Sequence, residues 1–217
     1  MTDPWNQFWT TDSELAWWKR PAPEVEALIA ALSPAAYPRA LDLGCGLGRH
    51  SIALAAAGFR VTALDSSAEA VRHLQEWAAA LGLTVAACTG SYLDVLAPAG
   101  SLDLVISYNV IYHGTRAQFA RAIQNVQAAL RPGGLFFFTC PTRRDGKYGF
   151  GEEIEPHAWR CARSMIPGDL HYFADEADLD ALLAGFHRLE RRVDEGEWDN
   201  NGRQQFFSNW QVLVEKL

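Results

Sequence analysis

The chain has little of what marks a secreted, metal-binding or membrane-spanning protein. Its four cysteines, Cys45, Cys88, Cys140 and Cys161, form no CxxC pair and no zinc-type spacing, which argues against a disulfide framework and a structural metal. They read as reduced thiols. Six histidines occur without an HxxxH or similar cluster, so no metal is expected. There is no run of 18 or more apolar residues, and the first residues carry Asp3, Asp12 and Glu14 in place of a basic-then-apolar signal. A cytoplasmic protein with no membrane partner is the expectation. Positive charge is also scarce. A formal net charge of −7 and a pI near 5.3 disfavour a nucleic-acid partner, whose binding rests on clustered Lys and Arg. Repeats and low-complexity tracts are missing too.

What remains is 217 residues with 49% hydrophobic content, enough for one well-filled core and short for two. From Arg39 onward, short apolar runs alternate with helical patterns. Strands are expected at 39–43, 59–64, 83–88, 102–107 and 134–140, with helices at 49–57, 67–81 and 116–130. Asp175 to Leu183 reads as a last helix, and 186–193 and 205–215 as closing strands. Such alternation predicts right-handed crossovers and a parallel sheet with helices on both faces. Ligands of these sheets bind beyond the carboxyl ends of the strands.

Leu41 to Arg49 reads as a strand, a glycine turn and the start of a helix. Glycines 44, 46 and 48 permit positive φ and leave no Cβ between the backbone and a ligand. The helix that follows offers unpaired NH groups to an anion. Asp65 stands at the end of the next apolar run, 17 residues after Gly48, where a carboxylate can accept from ribose hydroxyls. A dinucleotide fold would require GxGxxG. The sixth position here is Arg49, and no Tyr-x-x-x-Lys relay occurs, so a nicotinamide oxidoreductase ranks lower.

With Asp42 included, the pattern DxGxGxG followed by Asp65 resembles the class I S-adenosylmethionine-dependent methyltransferases. Leu102-Asp103-Leu104-Val105-Ile106 resembles the family's fourth strand, and Leu130-Arg131-Pro132-Gly133-Gly134-Leu135 the turn before its fifth. Trp17-Trp18, Gly46 to His50, Tyr108 to His113 and Glu153 to Pro156 resemble a bacterial group acting on small molecules. The resemblance implies a Rossmann-like, doubly wound, mostly parallel seven-stranded sheet with the last strand antiparallel. It implies S-adenosylmethionine as cofactor and a small-molecule methyl acceptor. A binding module without turnover on the same fold is the alternative. By the same resemblance Asp42, Gly44, Gly46 and Gly48 frame the methionine part, with Cys45 filling the turn. Asp65 takes the ribose with Ser66 beside it, Ser91 and Tyr92 flank the adenine, and Tyr108 and Asn109 face the methyl group. The Asn/Asp-Pro-Pro-Tyr/Phe sequence of amino-methylating DNA enzymes is missing after the fourth strand.

One domain over 1–217 is expected, with its cofactor core at 39–140, an insertion at 141–174 and a carboxyl-terminal helix with closing strands at 175–217. Residues 1–38 form an aromatic helical segment. Trp5, Phe8 and Trp9 fall at i, i+3, i+4 spacing, so this segment reads as a surface helix or as a lid holding Trp9 and Trp18. The insertion exceeds the usual length of a structureless connection and carries Trp159, His171 and Tyr172, which mark it as substrate-covering. For a general base, His113 is the first choice because imidazole titrates near neutral pH, with Tyr112 or His171 as replacements. Oligomeric state and the acceptor atom are not legible.

Overall fold

The computed structural model describes residues 4–11, 17–200 and 203–217. Residues 1–3, 12–16 and 201–202, with the acidic groups at 3, 12 and 14, lie outside them.

Seven strands form one sheet in the order β3-β2-β1-β4-β5-β10-β9. β1 (Arg39–Leu43), β2 (Arg60–Asp65), β3 (Val85–Thr89), β4 (Leu102–Ser107) and β5 (Leu130–Pro141) run parallel, whereas β10 (Arg203–Lys216) inserts antiparallel between β5 and β9 (Phe186–Asn200). The sheet is central because its strands alternate between two apolar cores. Leu41, Leu43 and Val105 face the side covered by α5 (Arg116–Ala129) and α6 (Glu176–Leu182). Ala40, Leu104 and Ile106 face α2 (Pro23–Ala31) and α3 (Arg49–Ala56). α4 (Ala68–Ala80) packs Leu74 and Ala78 against Ile52 and Ala63.

At the amino-terminal rim, Asp103 on β4 accepts from the side chains of Arg39 at 2.8 Å and Arg131 at 2.7 Å, clamping three strands. Ligand chemistry is left to the opposite rim.

Two expectations need correction. The helix expected to reach residue 130 stops at Ala129, and β5 begins at Leu130 rather than 134. Leu130 pairs with Leu102 and Leu135 with Leu104, so the Pro-Gly-Gly turn is an irregularity inside the strand. The closing strands run longer than their apolar alternation, because hairpin pairing extends into polar sequence. The insertion folds as a three-stranded antiparallel sheet of β6 (Gly151–Glu155), β7 (Ala158–Cys161) and β8 (Asp169–Tyr172). β6, Gly-Glu-Glu-Ile-Glu, is mostly exposed, so it carries no hydrophobic alternation. No described helix is long and apolar enough to cross a membrane.

Candidate functional site

The loop after β1 is closed by backbone hydrogen bonds and by one side chain from the next strand. Gly44 and Cys45 both donate to the Leu64 carbonyl, at 2.7 and 3.0 Å, and Gly48 closes the turn onto the Cys45 carbonyl at 2.9 Å. Gly44, Gly46 and Gly48 have φ of +76°, +51° and +94°, a region costly for residues with a Cβ. Packing reinforces the requirement. A Cβ at Gly44 would stand 2.2 Å from Val110 and one at Gly48 2.2 Å from Leu74.

Asp65 fixes this loop from the neighbouring strand. Its Oδ2 accepts from Gly46 N at 2.8 Å and its Oδ1 from Ser67 N at 2.9 Å, so both oxygens hold backbone of the rim. Asp42, 1% exposed, instead accepts from Ser51 Oγ at 2.6 Å on the first turns of α3. Burial pushes its pKa up to about 6, against the pull of the Ser51 hydrogen bond and the Arg49 charge. The Cys45 thiol, buried and beside Asp42 and Asp65, is held well above its usual range, so it stays a neutral filler.

The helix α1 (Pro4–Thr11) lies over this loop. Trp9 is 7% exposed and packs with Leu47 and Ala70, and a Cβ at Gly46 would meet its Cζ2 at 3.0 Å. Asn6 Oδ1 accepts from Ser67 Oγ at 3.1 Å and Glu69 N at 3.0 Å, tying α1 to the start of α4. Trp18 sets its edge against Trp9 and Phe8, with the Arg49 guanidinium over its ring.

Beyond β4 the chain turns at Asn109, a non-glycine residue at φ +60°. Its strained backbone is held by Thr139 Oγ1, which accepts from Asn109 N at 2.8 Å and donates to its Oδ1 at 2.9 Å. Four residues on, His113 makes two short contacts: Nδ1 lies 2.6 Å from Asp169 Oδ2, and Nε2 3.0 Å from the Asn109 carbonyl. His171 Nε2 reaches the same Asp169 oxygen at 3.2 Å. Burial pushes Asp169 up, but His113 and His171 outweigh it and hold the carboxyl well below the usual range. Burial lowers His171 to about 4 despite Asp169, so it is neutral. Trp5 of α1 stands edge-on to His113 with ring centres 5.0 Å apart.

The carboxyl rim of the sheet therefore gathers the glycine loop, Asp65, Asn109, His113 and α1. Tyr108 turns instead toward Arg49 and His50, its ring centre 5.1 Å from the guanidinium carbon and 5.2 Å from the imidazole. Tyr92 donates its hydroxyl to the His113 carbonyl, and Ser91 Oγ accepts from Leu93 N at 3.1 Å. Ser66 directly follows Asp65. Tyr112 stacks on His113 but is 7% exposed, and burial drives its phenol well above the ordinary value, which makes it a poor base. Tyr172 is fully buried against Phe119 and fills core space. Trp159 pairs with His171 across β7 and β8, and its ring packs on Tyr148. Sequence reasoning passed over Asp169. The available signal was its position two residues before His171, which puts both side chains on one face of a strand.

Residues 40–134 match the family model described as a methyltransferase domain. Over 97 residues the chain is 37% identical to a ubiquinone biosynthesis O-methyltransferase of Methylobacterium sp. (strain 4-46), covering 45% of this chain and 38% of that protein. It is 34% identical over 149 residues to the protein of that name from Caulobacter vibrioides, covering 67% and 57%. The chain thus spans between roughly a third and three fifths of these relatives' lengths. Among solved structures, a SAM-dependent methyltransferase from Methanosarcina mazei superposes with a TM-score of 0.74 at 22% identity, over 91% of this chain and 99% of that one.

Proposed function

We propose that the chain, whose residues 40–134 match the methyltransferase-domain model, is a class I S-adenosylmethionine-dependent methyltransferase that moves a methyl group to a small-molecule acceptor by in-line displacement. Bound S-adenosylmethionine supplies an electrophilic methyl on a sulfonium and a neutral thioether as leaving group. The observation that carries the reading is the Gly44–Gly48 loop at positive φ, oriented by Asp65 from the next strand.

In this reading Asp65 receives the ribose hydroxyls, as a carboxylate at the end of β2 held by Gly46 N and Ser67 N. Asp42 and the loop backbone face the methionine part. Ser66, Ser91 and Tyr92 border the adenine, and Asn109 stands near the reacting carbon. The main task of the chain is position, because holding a nucleophile in line with the departing sulfur supplies much of the rate. α1 must move off Gly46 for a ligand to lie on the loop there, and its return would exclude water. The small-molecule acceptor agrees with the names of the curated relatives and with the acidic surface.

Calorimetric titration with S-adenosylmethionine, S-adenosylhomocysteine and NADH tests this. Dissociation constants in the micromolar range, about −8 kcal/mol, are expected for the first two, with no heat from NADH. Binding of NADH alone would replace the reading with hydride transfer.

A further inference from the structure

We infer that His113, Asp169 and His171 form a binding site for a divalent first-row transition metal, zinc among them, which clasps the small sheet to the carboxyl rim of the large one. The site goes beyond methyl transfer and does not depend on it.

The three side chains arrive from separate parts of the chain. His113 comes from the connection after β4, whereas Asp169 and His171 come from β8 of the small sheet, docked there by Tyr172 N donating to the Tyr112 carbonyl at 2.9 Å. Each residue offers one ligand atom, and these atoms all lie within 4.8 Å of one another. The two imidazole rings stand at 87° with their centres 4.6 Å apart. Both turn a nitrogen to the same Asp169 Oδ2, His113 Nδ1 at 2.6 Å and His171 Nε2 at 3.2 Å. Linear spacing carries no metal signature here because His113 and Asp169 are 56 residues apart.

The donor set and its surroundings fit such an ion. Ligand atoms about 2.0 to 2.1 Å from a tetrahedral zinc stand about 3.3 Å apart, a spacing that the His171–Asp169 pair at 3.2 Å already matches. The His113–Asp169 pair is a hydrogen bond at 2.6 Å. An ion there takes the place of the bonding proton and parts the two atoms by about 0.7 Å. Both imidazoles contact Oδ2, so a small turn of the carboxylate at the start of β8 offers Oδ1 instead. His113 Nε2 is paired with the Asn109 carbonyl at 3.0 Å, the kind of backbone partner that fixes which nitrogen of a metal-bound histidine carries the proton. His171 Nδ1 has no partner among the described residues, which leaves its orientation to the flanking rings of Tyr112 and Phe173. The side chains of His113, Asp169 and His171 are 12%, 14% and 3% exposed, and such burial strengthens the pull of a carboxylate on a cation. Two imidazole nitrogens with one carboxylate suit zinc, cobalt, nickel or iron, whereas magnesium and calcium take oxygen ligands. Three protein ligands leave a tetrahedral ion one further position.

The test titrates the full chain, stripped of metal by a chelator, with zinc chloride and with magnesium chloride by calorimetry, and follows its melting with and without zinc. Asp169→Asn and His171→Ala are compared with His157→Ala and Cys88→Ser, which remove a histidine and an exposed thiol outside the cluster. One zinc per chain, a raised melting temperature and no heat from magnesium are expected. His157→Ala and Cys88→Ser should bind zinc as wild type does. Asp169→Asn and His171→Ala should lose at least about 100-fold in affinity, since even the outer partners of a metal site are worth about 10 to 100-fold. In wild type, zinc should move the nitrogen-15 signals of His113 and His171 and leave those of the other four histidines in place, a readout that stands even where a variant folds poorly. Absence of one-to-one zinc binding, binding that survives both cluster variants, or unmoved His113 and His171 signals overturns the site. Equal uptake of magnesium overturns the choice of a transition metal. Melting unchanged by bound zinc overturns the clasp.

Discussion

Gly46 N donates to Asp65 Oδ2 across 2.8 Å, so the backbone of the loop after β1 is anchored by the last residue of β2. The bond links two strands that pair in register from Arg39↔Arg60 to Leu43↔Leu64. The same carboxylate that shapes the loop is the group proposed to take the ribose.

Replacing Asp65 by Ala should therefore weaken S-adenosylhomocysteine binding by roughly 1 to 3 kcal/mol, through the lost acceptor and the loosened loop. Calorimetry reads the change directly. Equal affinity in the variant would remove the ribose assignment.

Gly48→Ala should cost about 2 to 4 kcal/mol of stability, combining strain at φ +94° with a Cβ 2.2 Å from Leu74 Cδ1. A urea melt measures it. A shift under half a kcal/mol would mean that the loop and α4 relax freely around the new methyl.

Trp9→Ala should speed cofactor association several-fold, since the indole lies against Gly46 and its removal frees the loop face. Stopped-flow mixing with S-adenosylhomocysteine gives the rate. An unchanged association rate would show that α1 does not gate entry.

Asp42 makes a pH prediction. Burial raises its carboxyl from 3.8 to about 6 in the folded chain, so between pH 4 and 6 the native state binds more protons than the unfolded state. Stability contributed by this group then falls as pH rises through that window, and the cost persists at neutrality. Asp42→Asn should gain about 1 to 3 kcal/mol at pH 7, lose the difference near pH 4, and bind the cofactor more weakly. Urea denaturation at both pH values decides, and identical pH slopes in the two proteins would contradict the burial argument.

The sequence by itself determined the parallel core and the place of the glycine turn. Both are local: β1, β2 and β4 announce themselves through apolar runs, and glycines 44, 46 and 48 occupy conformations that other residues reach only at a cost. Asp65 was legible for the same reason, as the polar end of an apolar strand. Only the tertiary structure decided what stands above that turn. β6 to β8 are four or five residues long and stabilised by pairing with one another, which no periodicity within such short runs reveals. Trp9 meets Gly46, and Asp169 meets His113 across 56 positions of chain, because separate elements dock at the sheet's carboxyl rim. Contacts of that kind depend on how surfaces fit, and a linear pattern carries no record of the fit.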